Sequence, residues 1–232
     1  MAEIGVVRRE MKYTLDRCTA DILRAKLGML LPVDKFGPSE GYYVRSLYFD
    51  TLYDKDYHDK VDGLETRHKI RLRIYDPRDT TAKLEVKKKV GREQWKYSAS
   101  VDREDARLII EGAYGKLRGK YKSPFLQNVL RKMEMECYAP KTIVEFHRLA
   151  FVEYTNETRI TFDTSLQATE ADMSIFSTNL SLYPIAYPAI LEVKYNRFLL
   201  SHIKSVLQIT DQMPVSTSKY CLGRQNTFRG FL

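Results

Sequence analysis

Cysteine is scarce in this chain, and its three copies lie far apart in the sequence. They stand at Cys18, Cys137 and Cys221, and no CxxC pair occurs. This spacing indicates neither a disulfide framework nor a zinc site built from thiolates. The four histidines are equally scattered, which argues against a metal site built from imidazoles. A reducing, cytoplasmic location is therefore expected.

The sequence also has no long apolar run and no visible domain boundary. No window approaches the roughly 18 uncharged apolar residues of a membrane span, and the N-terminal MAEIGVVRREMKY has no signal-peptide core. There is no internal repeat, low-complexity tract or Gly/Ser linker, and GKLRGKYK near Gly115 lacks the GxxxxGK[ST] spacing of a P-loop. The 232 residues can bury a full core. We therefore predict a single soluble domain over residues 1–232.

Positive charge is what the chain has in excess. Its 38 basic and 30 acidic residues give a formal net charge of +8. Because acidic residues are plentiful, the basic excess is concentrated in particular segments rather than spread along the chain. Such a concentrated excess suits an anionic partner, which could be nucleic acid, polyphosphate, a nucleotide or an anionic membrane.

The most basic segment, Arg67–Lys89, has the pattern of a β-hairpin. Alternation with period two gives each half a charged face opposite a mostly apolar one, and DPRDTT between the halves has the composition of a turn. The charged faces carry Arg67, Lys69, Arg71 and Arg73 in the first half and Lys83, Glu85, Lys87 and Lys89 in the second. Like charges on neighbouring strands repel unless an anion lies between them. The pattern therefore favours an anion-binding face, and the alternative is the solvated face of an ordinary half-buried sheet.

Strand-like alternation recurs on both sides of this hairpin, with helical periodicity between the strands. The other predicted strands are Val6–Leu15, Tyr42–Asp50, Glu93–Val101, Thr142–Tyr154, Thr158–Ala168 and Tyr187–Tyr195. The predicted helices are Asp16–Met29, Arg103–Tyr138 with a break near 122–124, and Arg197–Ile209. Several strands carry charged residues on one face. We therefore predict an α+β fold, a closed antiparallel β-barrel of about eight strands with a charged lumen and flanking helices.

Seven short motifs together resemble one known family. In order between about Glu10 and Gly223, the chain contains RSLYFDT, KIRLRIYD, KLEVKKK, FHRLAF, RITFDTSL, LEVKY and STSKYCLG. This series resembles the catalytic domain of the vacuolar transporter chaperone (VTC) polyphosphate polymerases, a branch of the triphosphate tunnel metalloenzymes related to the CYTH phosphatases and cyclases. The resemblance implies a tunnel lined with Lys, Arg and Glu that binds a triphosphate with a divalent cation. In the polymerase branch, the terminal phosphoryl group of ATP passes to a growing polyphosphate chain.

The resemblance also implies roles for individual residues, whose side chains are expected to line one tunnel. The catalytic set is Lys12, Arg71, Arg73, Lys87, Arg148, Arg159 and Lys219. The substrate-binding candidates are Glu10, Arg45, Lys69, Lys83, Glu85, Lys89, Lys194 and Ser218. Glu192 resembles the glutamate that holds the metal, and its hard oxygens suit Mn²⁺ or Mg²⁺, with Glu10 or Glu145 as weaker candidates. Alternatively, Glu85 and Glu192 only neutralise neighbouring lysines.

Two positions depart from the family pattern. RREMKY offers Glu10 and Lys12 where the CYTH phosphatases have two glutamates before a lysine, which moves the interpretation away from a simple triphosphatase. Ser216 and Thr217 stand where the eukaryotic polymerases have a second lysine before the SK pair. One contact to the anion is therefore expected to be missing.

Three other functions stay open at this point. A triphosphatase acting on PPPi or a nucleoside triphosphate, and a non-catalytic module binding polyphosphate or nucleotide, would use nearly the same residues. Nucleic-acid binding agrees with the net charge and the 16 tyrosines, but acidic residues share the basic faces and no RRM signature occurs. The expected partners are therefore ATP or triphosphate and polyphosphate, and not nucleic acid. Export coupled to synthesis would need a separate membrane partner.

Overall fold

The computed structural model describes residues 8–35, 37–91, 93–208 and 213–229, without the side chains of residues 8 and 226–229. The strands are β1 (Arg8–Leu15), β2 (Tyr42–Asp50), β3 (Arg67–Ile74), β4 (Thr81–Val90), β5 (Glu93–Asp102), β6 (Ala139–Glu153), β7 (Thr158–Thr169), β8 (Tyr183–Pro184) and β9 (Ala189–Asn196). The helices are α1 (Arg17–Leu30), α2 (Lys55–Val61), α3 (Arg103–Ile110), α4 (Pro124–Met135), α5 (Ser201–Leu207) and α6 (Lys219–Arg229), with a 3₁₀ turn at Tyr114–Leu117. Within the described ranges, no helix combines the length and hydrophobicity that crossing a bilayer requires.

The predicted strands are confirmed to within a few residues, and β2 has the predicted bounds. The hairpin of β3 and β4 is confirmed, with a turn over 75–80. The break near 122–124 is also confirmed, because α4 begins at Pro124. Val6 and Val7 of the first predicted strand, and Ile209 of the last predicted helix, lie outside the described residues. The sequence did not predict α2, α6 or the two-residue β8.

The strands form a large antiparallel sheet, which together with the helices confirms the α+β class. Their order is β1-β9-β7-β6-β2-β3-β4-β5, and β8 pairs with β7. The predicted closure into a barrel is wrong for the described residues, since β1 and β5 are the two ends of this order. Alternating charged and apolar residues arise in an open half-buried sheet as well as in a barrel. The alternation therefore could not decide whether the sheet closes.

The chain divides into two compact units. Unit 1 comprises residues 1–44, 145–167 and 184–218. Unit 2 comprises residues 45–144, 168–183 and 219–232. The prediction of a single domain over residues 1–232 stays a prediction.

Unit 2 buries the apolar face of β2, β3 and β4. Leu47, Leu72 and Leu84 lie opposite one another in the register and are completely buried. Ile109 of α3 and Met133 of α4 belong to the same core. Each buried aliphatic side chain contributes about 1.5–3 kcal/mol, so packing fixes which face of these strands is apolar. The alternate residues, which are mostly charged, must then share the other face.

Unit 1 has its own core on β1, β9, β7 and α1. Leu191 of β9 lies between Tyr13 of β1 and Phe162 of β7 in the register, and all three are buried. Leu23 and Leu27 of α1 are spaced one helical turn apart and belong to the same core. As in unit 2, the alternate strand positions are left for polar and charged side chains.

Candidate functional site

Eight cations and the Glu85 carboxylate lie in four neighbouring rows on one face of β3, β4 and β5 in unit 2. The rows formed by the register are Arg67, Lys89 and Gln94; Lys69, Lys87 and Lys96; Arg71, Glu85 and Ser98; Arg73, Lys83 and Ser100. We call these side chains the β3–β5 face. One of the rows consists of three lysines. So many cations on one face suit an anionic partner.

Glu85 is the single carboxylate of the β3–β5 face, and only 1% of it is exposed. Its Oε2 lies 2.7 Å from Arg71 Nη2 and 3.5 Å from Arg73 Nη2, and its Oε1 lies 2.5 Å from Lys96 Nζ. Burial acts to raise the pKa of Glu85, but the neighbouring Arg71, Arg73 and Lys96 outweigh burial and lower the pKa to about 2. Glu85 is therefore a permanent counter-charge that orients three cations.

Arg71 is held at both ends of its guanidinium group. Nε donates to Glu85 Oε2 over 2.8 Å, and Nη1 donates to the hydroxyl of Tyr48 over 3.0 Å. With the contact from Nη2 to Glu85, the described contacts use three of the five N–H groups. Burial acts to lower the pKa of Arg71, but Tyr48 and Glu85 outweigh it and raise the pKa. The described contacts leave one N–H on each terminal nitrogen, an arrangement that suits phosphate oxygens.

Lys96 is a member of the β3–β5 face that the sequence analysis missed. It lies directly opposite Lys87 in the register, next to the Glu85 carboxylate. Burial lowers the pKa of Lys96, although its contact with Glu85 acts in the opposite direction. The sequence contains a signal for Lys96, because the tight turn at Gly91 places the alternating segment EQWKYSASV next to KLEVKKK.

A second charged face, of mixed sign, lies on β1, β9 and β7 in unit 1. Its rows are Glu10, Lys194 and Arg159, and Lys12, Glu192 and Thr161. We call these six side chains the mixed face. Lys12 Nζ lies 2.7 Å from Glu10 Oε1. Lys194 contacts Glu192, and its Nζ lies 3.9 Å from Glu10 Oε2. Two carboxylates and two ammonium groups thus alternate within one small patch.

The two carboxylates of the mixed face fit a divalent cation only in part. Burial and Glu192 act to raise the pKa of Glu10, but Lys12 and Lys194 outweigh them and lower it. Among the described residues, no group of three or more His, Cys, Asp or Glu side chains could hold a metal. Mg²⁺ commonly takes one or two protein carboxylates and completes its coordination with phosphate and water oxygens. Glu10 and Glu192 fit a cation of this kind and do not form a complete protein cage.

Two arginines of unit 1 have carboxylate partners that the sequence analysis did not assign. Arg148 Nε and Nη2 donate to Asp163 Oδ1 and Oδ2 over 2.6 and 2.7 Å. Burial acts to lower the pKa of Arg148, but Asp163 outweighs it and raises the pKa. Arg159 Nη2 lies 2.8 Å from Asp34 Oδ2. Both guanidinium groups are therefore oriented by carboxylates, as Arg71 is oriented by Glu85.

The structure does not bring Arg45 to the β3–β5 face. In the register Arg45 lies opposite Ile74, on the pleat that carries the apolar core, while Arg73 belongs to the other pleat. Its Nη1 donates to the backbone oxygens of Ile175 and Ser177 over 2.9 and 2.6 Å. Buried backbone carbonyls need such donors, so these contacts hold the segment around 175–177 in place.

Ser218 and Lys219 lie at the start of α6, where Ser218 is buried and Lys219 is the first helical residue. Glu145 is half-buried on β6. The roles that the sequence assigns to Ser218, Lys219 and Glu145, and to the charged residues of both faces, stay predictions. That the β3–β5 face and the mixed face line one tunnel also stays a prediction.

A cavity of about 550 Å³ in unit 1 lies apart from the mixed face. Its lining includes Met11 and Tyr13 of β1, with Arg197 and Lys204 farther along the chain. Met11 and Tyr13 alternate with Glu10 and Lys12, so the cavity is on the opposite side of β1. None of the predicted site residues lines it within the described residues.

Comparison with solved structures defines the class of protein by its fold. A Bacillus halodurans protein provisionally described as an adenylate cyclase has a TM-score of 0.56 at 13% identity, covering 93% of this chain and 96% of its own. One from Vibrio parahaemolyticus with the same description has a TM-score of 0.46 at 12% identity, covering 90% and 84%. The PH1819 protein of Pyrococcus horikoshii OT3 has a TM-score of 0.49 at 10% identity, covering 94% and 99%. The first likeness shows that the two chains share a fold and says nothing about activity, and the other two are too distant to add to it.

The family follows from the sequence as a whole. The family model of the VTC domain matches residues 7–228. The chain belongs to the VTC domain family, which confirms the resemblance carried by the seven motifs. No match was found among curated proteins.

Proposed function

We propose that this protein is a metal-dependent phosphotransferase that builds polyphosphate from ATP. In each cycle, the bond between the terminal phosphorus of ATP and the bridging oxygen of ADP breaks. A new bond joins that phosphorus to a terminal oxygen of the acceptor chain, so the products are ADP and a chain longer by one phosphate. Membership of the VTC domain family supports chemistry on triphosphates.

The observation that carries the proposal is the charge pattern of the β3–β5 face. Its cations lie in rows from Arg67 to Arg73, a distance of about 20 Å along a strand. A single small anion would neutralise one row, whereas an extended chain with a negative charge on every phosphate can neutralise several. The row of Lys69, Lys87 and Lys96 would present three ammonium groups to such a chain.

The charged residues divide between two tasks in this proposal. Arg71 and Arg73 bind phosphate oxygens, and Glu85 keeps their guanidinium groups in position. Glu192, with Glu10, would hold Mn²⁺ or Mg²⁺. When bound, the cation neutralises charge on the phosphate oxygens during transfer. Positioning and charge neutralisation supply the catalysis, since the terminal phosphate of the acceptor attacks directly and no side-chain nucleophile is needed.

The test of the function is an incubation of the purified chain with ATP and Mn²⁺. Long-chain polyphosphate and free orthophosphate are then assayed separately in the same mixture. We expect polyphosphate to accumulate with Mn²⁺, and not when a chelator replaces it. A parallel incubation without protein corrects for spontaneous hydrolysis.

Two other outcomes would replace the proposal with one of its alternatives. Metal-dependent release of orthophosphate without polyphosphate would identify a triphosphatase. Tight binding of ATP or tripolyphosphate with no turnover, in Mn²⁺ and in Mg²⁺ alike, would identify a non-catalytic binding module. Both alternatives use the same charged residues, so only the products distinguish them.

A further inference from the structure

Asp50, at the end of β2 in unit 2, is a completely buried carboxylate that fixes a tyrosine of α6. Its Oδ1 and Oδ2 accept from the backbone N–H groups of Asp56 and Tyr57 at the start of α2, each over 2.9 Å. Its Oδ2 also accepts from the hydroxyl of Tyr220 over 2.6 Å. Several donors converge on one carboxylate, so neither the carboxylate nor the Tyr220 hydroxyl can rotate without losing hydrogen bonds.

Tyr220 passes this constraint to Tyr48 of β2. The two rings are stacked, with centroids 5.3 Å apart and an interplanar angle of 26°. Burial and the charge of Asp50 raise the pKa of Tyr220, so its hydroxyl stays protonated and remains a donor. An aromatic pair of this geometry contributes about 0.5–1.5 kcal/mol beyond the area it buries. Tyr220 therefore supports the ring of Tyr48 on one side.

Tyr48 in turn touches the proposed phosphate ligand Arg71. The two residues are cross-strand partners of β2 and β3. The hydroxyl oxygen of Tyr48 accepts from Arg71 Nη1 over 3.0 Å, while Glu85 Oε2 accepts from Nε and Nη2 of the same group. Glu85 alone would leave the guanidinium plane free to tilt about one oxygen atom. Tyr48 supplies the second fixed point.

We propose that Tyr48 is a positioning residue for phosphate binding, and that α6 acts on the site through Tyr220. This inference rests on the proposed function of the β3–β5 face. Tyr48 presents an uncharged acceptor that fixes one edge of the Arg71 guanidinium and adds no negative charge to repel a phosphate. The two remaining N–H groups of Arg71 are thereby directed at an anion before it binds, which lowers the entropic cost of binding.

The test is a double-mutant cycle on the affinity for tripolyphosphate, measured by calorimetry on the full chain without metal. Tyr48→Phe removes only the acceptor oxygen and keeps the ring on Tyr220. We expect it to weaken binding about fivefold to tenfold. In the Arg71→Ala background, Tyr48→Phe should change the affinity by less than about twofold, since the group that it positions is gone.

Two further variants separate positioning from general stability. Tyr114→Phe deletes a buried hydroxyl of unit 2 that donates to the backbone oxygen of Tyr138 over 2.7 Å, and it should leave tripolyphosphate affinity unchanged. Tyr220→Phe breaks the bond to Asp50 and keeps the stacked ring, so we expect a loss of about twofold to fivefold.

Three results would overturn the inference. The first is an unchanged affinity for tripolyphosphate in Tyr48→Phe. The second is a loss of affinity from Tyr48→Phe that is as large in the Arg71→Ala background as in the wild-type background. The third is a loss of affinity in Tyr114→Phe as large as that in Tyr48→Phe. If the wild-type chain does not bind tripolyphosphate at all, the proposed function fails together with this inference. If it binds with unchanged affinity in Tyr48→Phe, only the positioning role fails.

Discussion

Arg71 and Glu192 are expected to contribute to the reaction in different ways. In the proposed function Arg71 contacts phosphate before and during transfer, so Arg71→Ala should weaken metal-free ATP binding about tenfold to a hundredfold and slow turnover as well. In the same proposal Glu192 acts through the cation, so Glu192→Gln should nearly abolish Mn²⁺-dependent turnover. The Glu192→Gln variant should still bind ATP without metal, with equal or higher affinity, because one negative charge is lost. Calorimetry without metal and product formation with Mn²⁺ measure the two effects.

Matched controls for these two variants lie on α3, which contributes no residue to either face. Arg107 and Glu104 form an exposed ion pair, with Arg107 Nη1 lying 2.7 Å from Glu104 Oε1. Arg107→Ala and Glu104→Gln should leave both binding and turnover unchanged. Full metal-dependent turnover in Glu192→Gln would mean that Glu192 is only a counter-charge for Lys194.

Asp56 of α2 should make the stability of the protein depend on pH near neutrality. Burial and the neighbouring Asp50 raise the pKa of Asp56 to about 7. Between about pH 4 and pH 7 the folded state therefore binds more protons than the unfolded state, and the free energy of unfolding falls as pH rises. The asparagine side chain of Asp56→Asn cannot titrate. The free energy of unfolding of the variant minus that of wild type should therefore rise by about 2–3 kcal/mol from pH 5 to pH 8.

Urea unfolding of both proteins at pH 5 and pH 8 measures this difference. Asp21→Asn is a suitable control, because Asp21 lies on α1 with 57% of its side chain exposed. Its difference from wild type should be the same at both pH values. A gap between wild type and Asp56→Asn that does not change with pH would show that burial does not shift the titration of Asp56.

The sequence predicts which charged residues share a face of one strand better than it predicts which residues form ion pairs between strands. Alternation alone placed Arg71, Arg73 and Glu85 on charged faces. The pairing of Arg148 with Asp163 could not be predicted, because it depends on how the strands are aligned and on side-chain direction. Lys96 was missed although its strand was predicted, and the turn at Gly91 could have placed it opposite Lys87.

At the scale of the element, strands were easier to predict than short helices. A strand with one buried face has an alternation that is visible within a short sequence window, as in β5. By contrast, α2 (KDYHDKV) is seven residues long and mostly charged, and its start is fixed by the Asp50 carboxylate at the end of β2 and not by an apolar stripe. The helix α6 (KYCLGRQNTFR) contains Gly223 and few apolar residues, so it has little helical periodicity.

The turn before β2 depends on Gly41, and Gly41→Ala should be strongly destabilising. Gly41 has φ of +90°, which alone costs other residues about 1–2 kcal/mol. An added Cβ would also lie 2.5 Å from the backbone oxygen of Arg148 and 2.6 Å from Cε1 of His147. Backbone cannot yield as a flexible side chain does, so we expect a total loss of about 3 kcal/mol or more in unfolding free energy.

Gly112→Ala separates the backbone strain from the close contact. Gly112 has φ of +74°, and no atom of the described residues lies within 4 Å of an added Cβ. Its substitution should cost about 1 kcal/mol by urea unfolding. Equal losses for the two variants would contradict the close packing of Gly41 against β6.

At the scale of the whole molecule, the net charge of +8 should not make the protein a nucleic-acid binder. Carboxylates lie among the cations on both charged faces, and the cations are arranged along strands. Tripolyphosphate should therefore displace any bound duplex DNA at a similar phosphate concentration, as measured by fluorescence anisotropy of labelled DNA. Tight DNA binding that tripolyphosphate cannot displace would favour the nucleic-acid alternative.

The family and the fold class could be predicted from the order of seven motifs, none of which is specific alone. Closure of the sheet could not be predicted, because it depends on whether the two end strands find partners and not on the alternation within each strand. The composition of each face followed from alternation, whereas its counter-charges depended on the register.

The most direct test of the account is the stoichiometry of the reaction with ATP and Mn²⁺. ADP, orthophosphate and phosphate incorporated into polyphosphate are measured together in one time course. If the terminal phosphoryl group is transferred to a growing chain, the ADP formed should equal the phosphate incorporated, with little orthophosphate. If ADP is matched by orthophosphate instead, the phosphoryl group passes to water and the chain does not make polyphosphate.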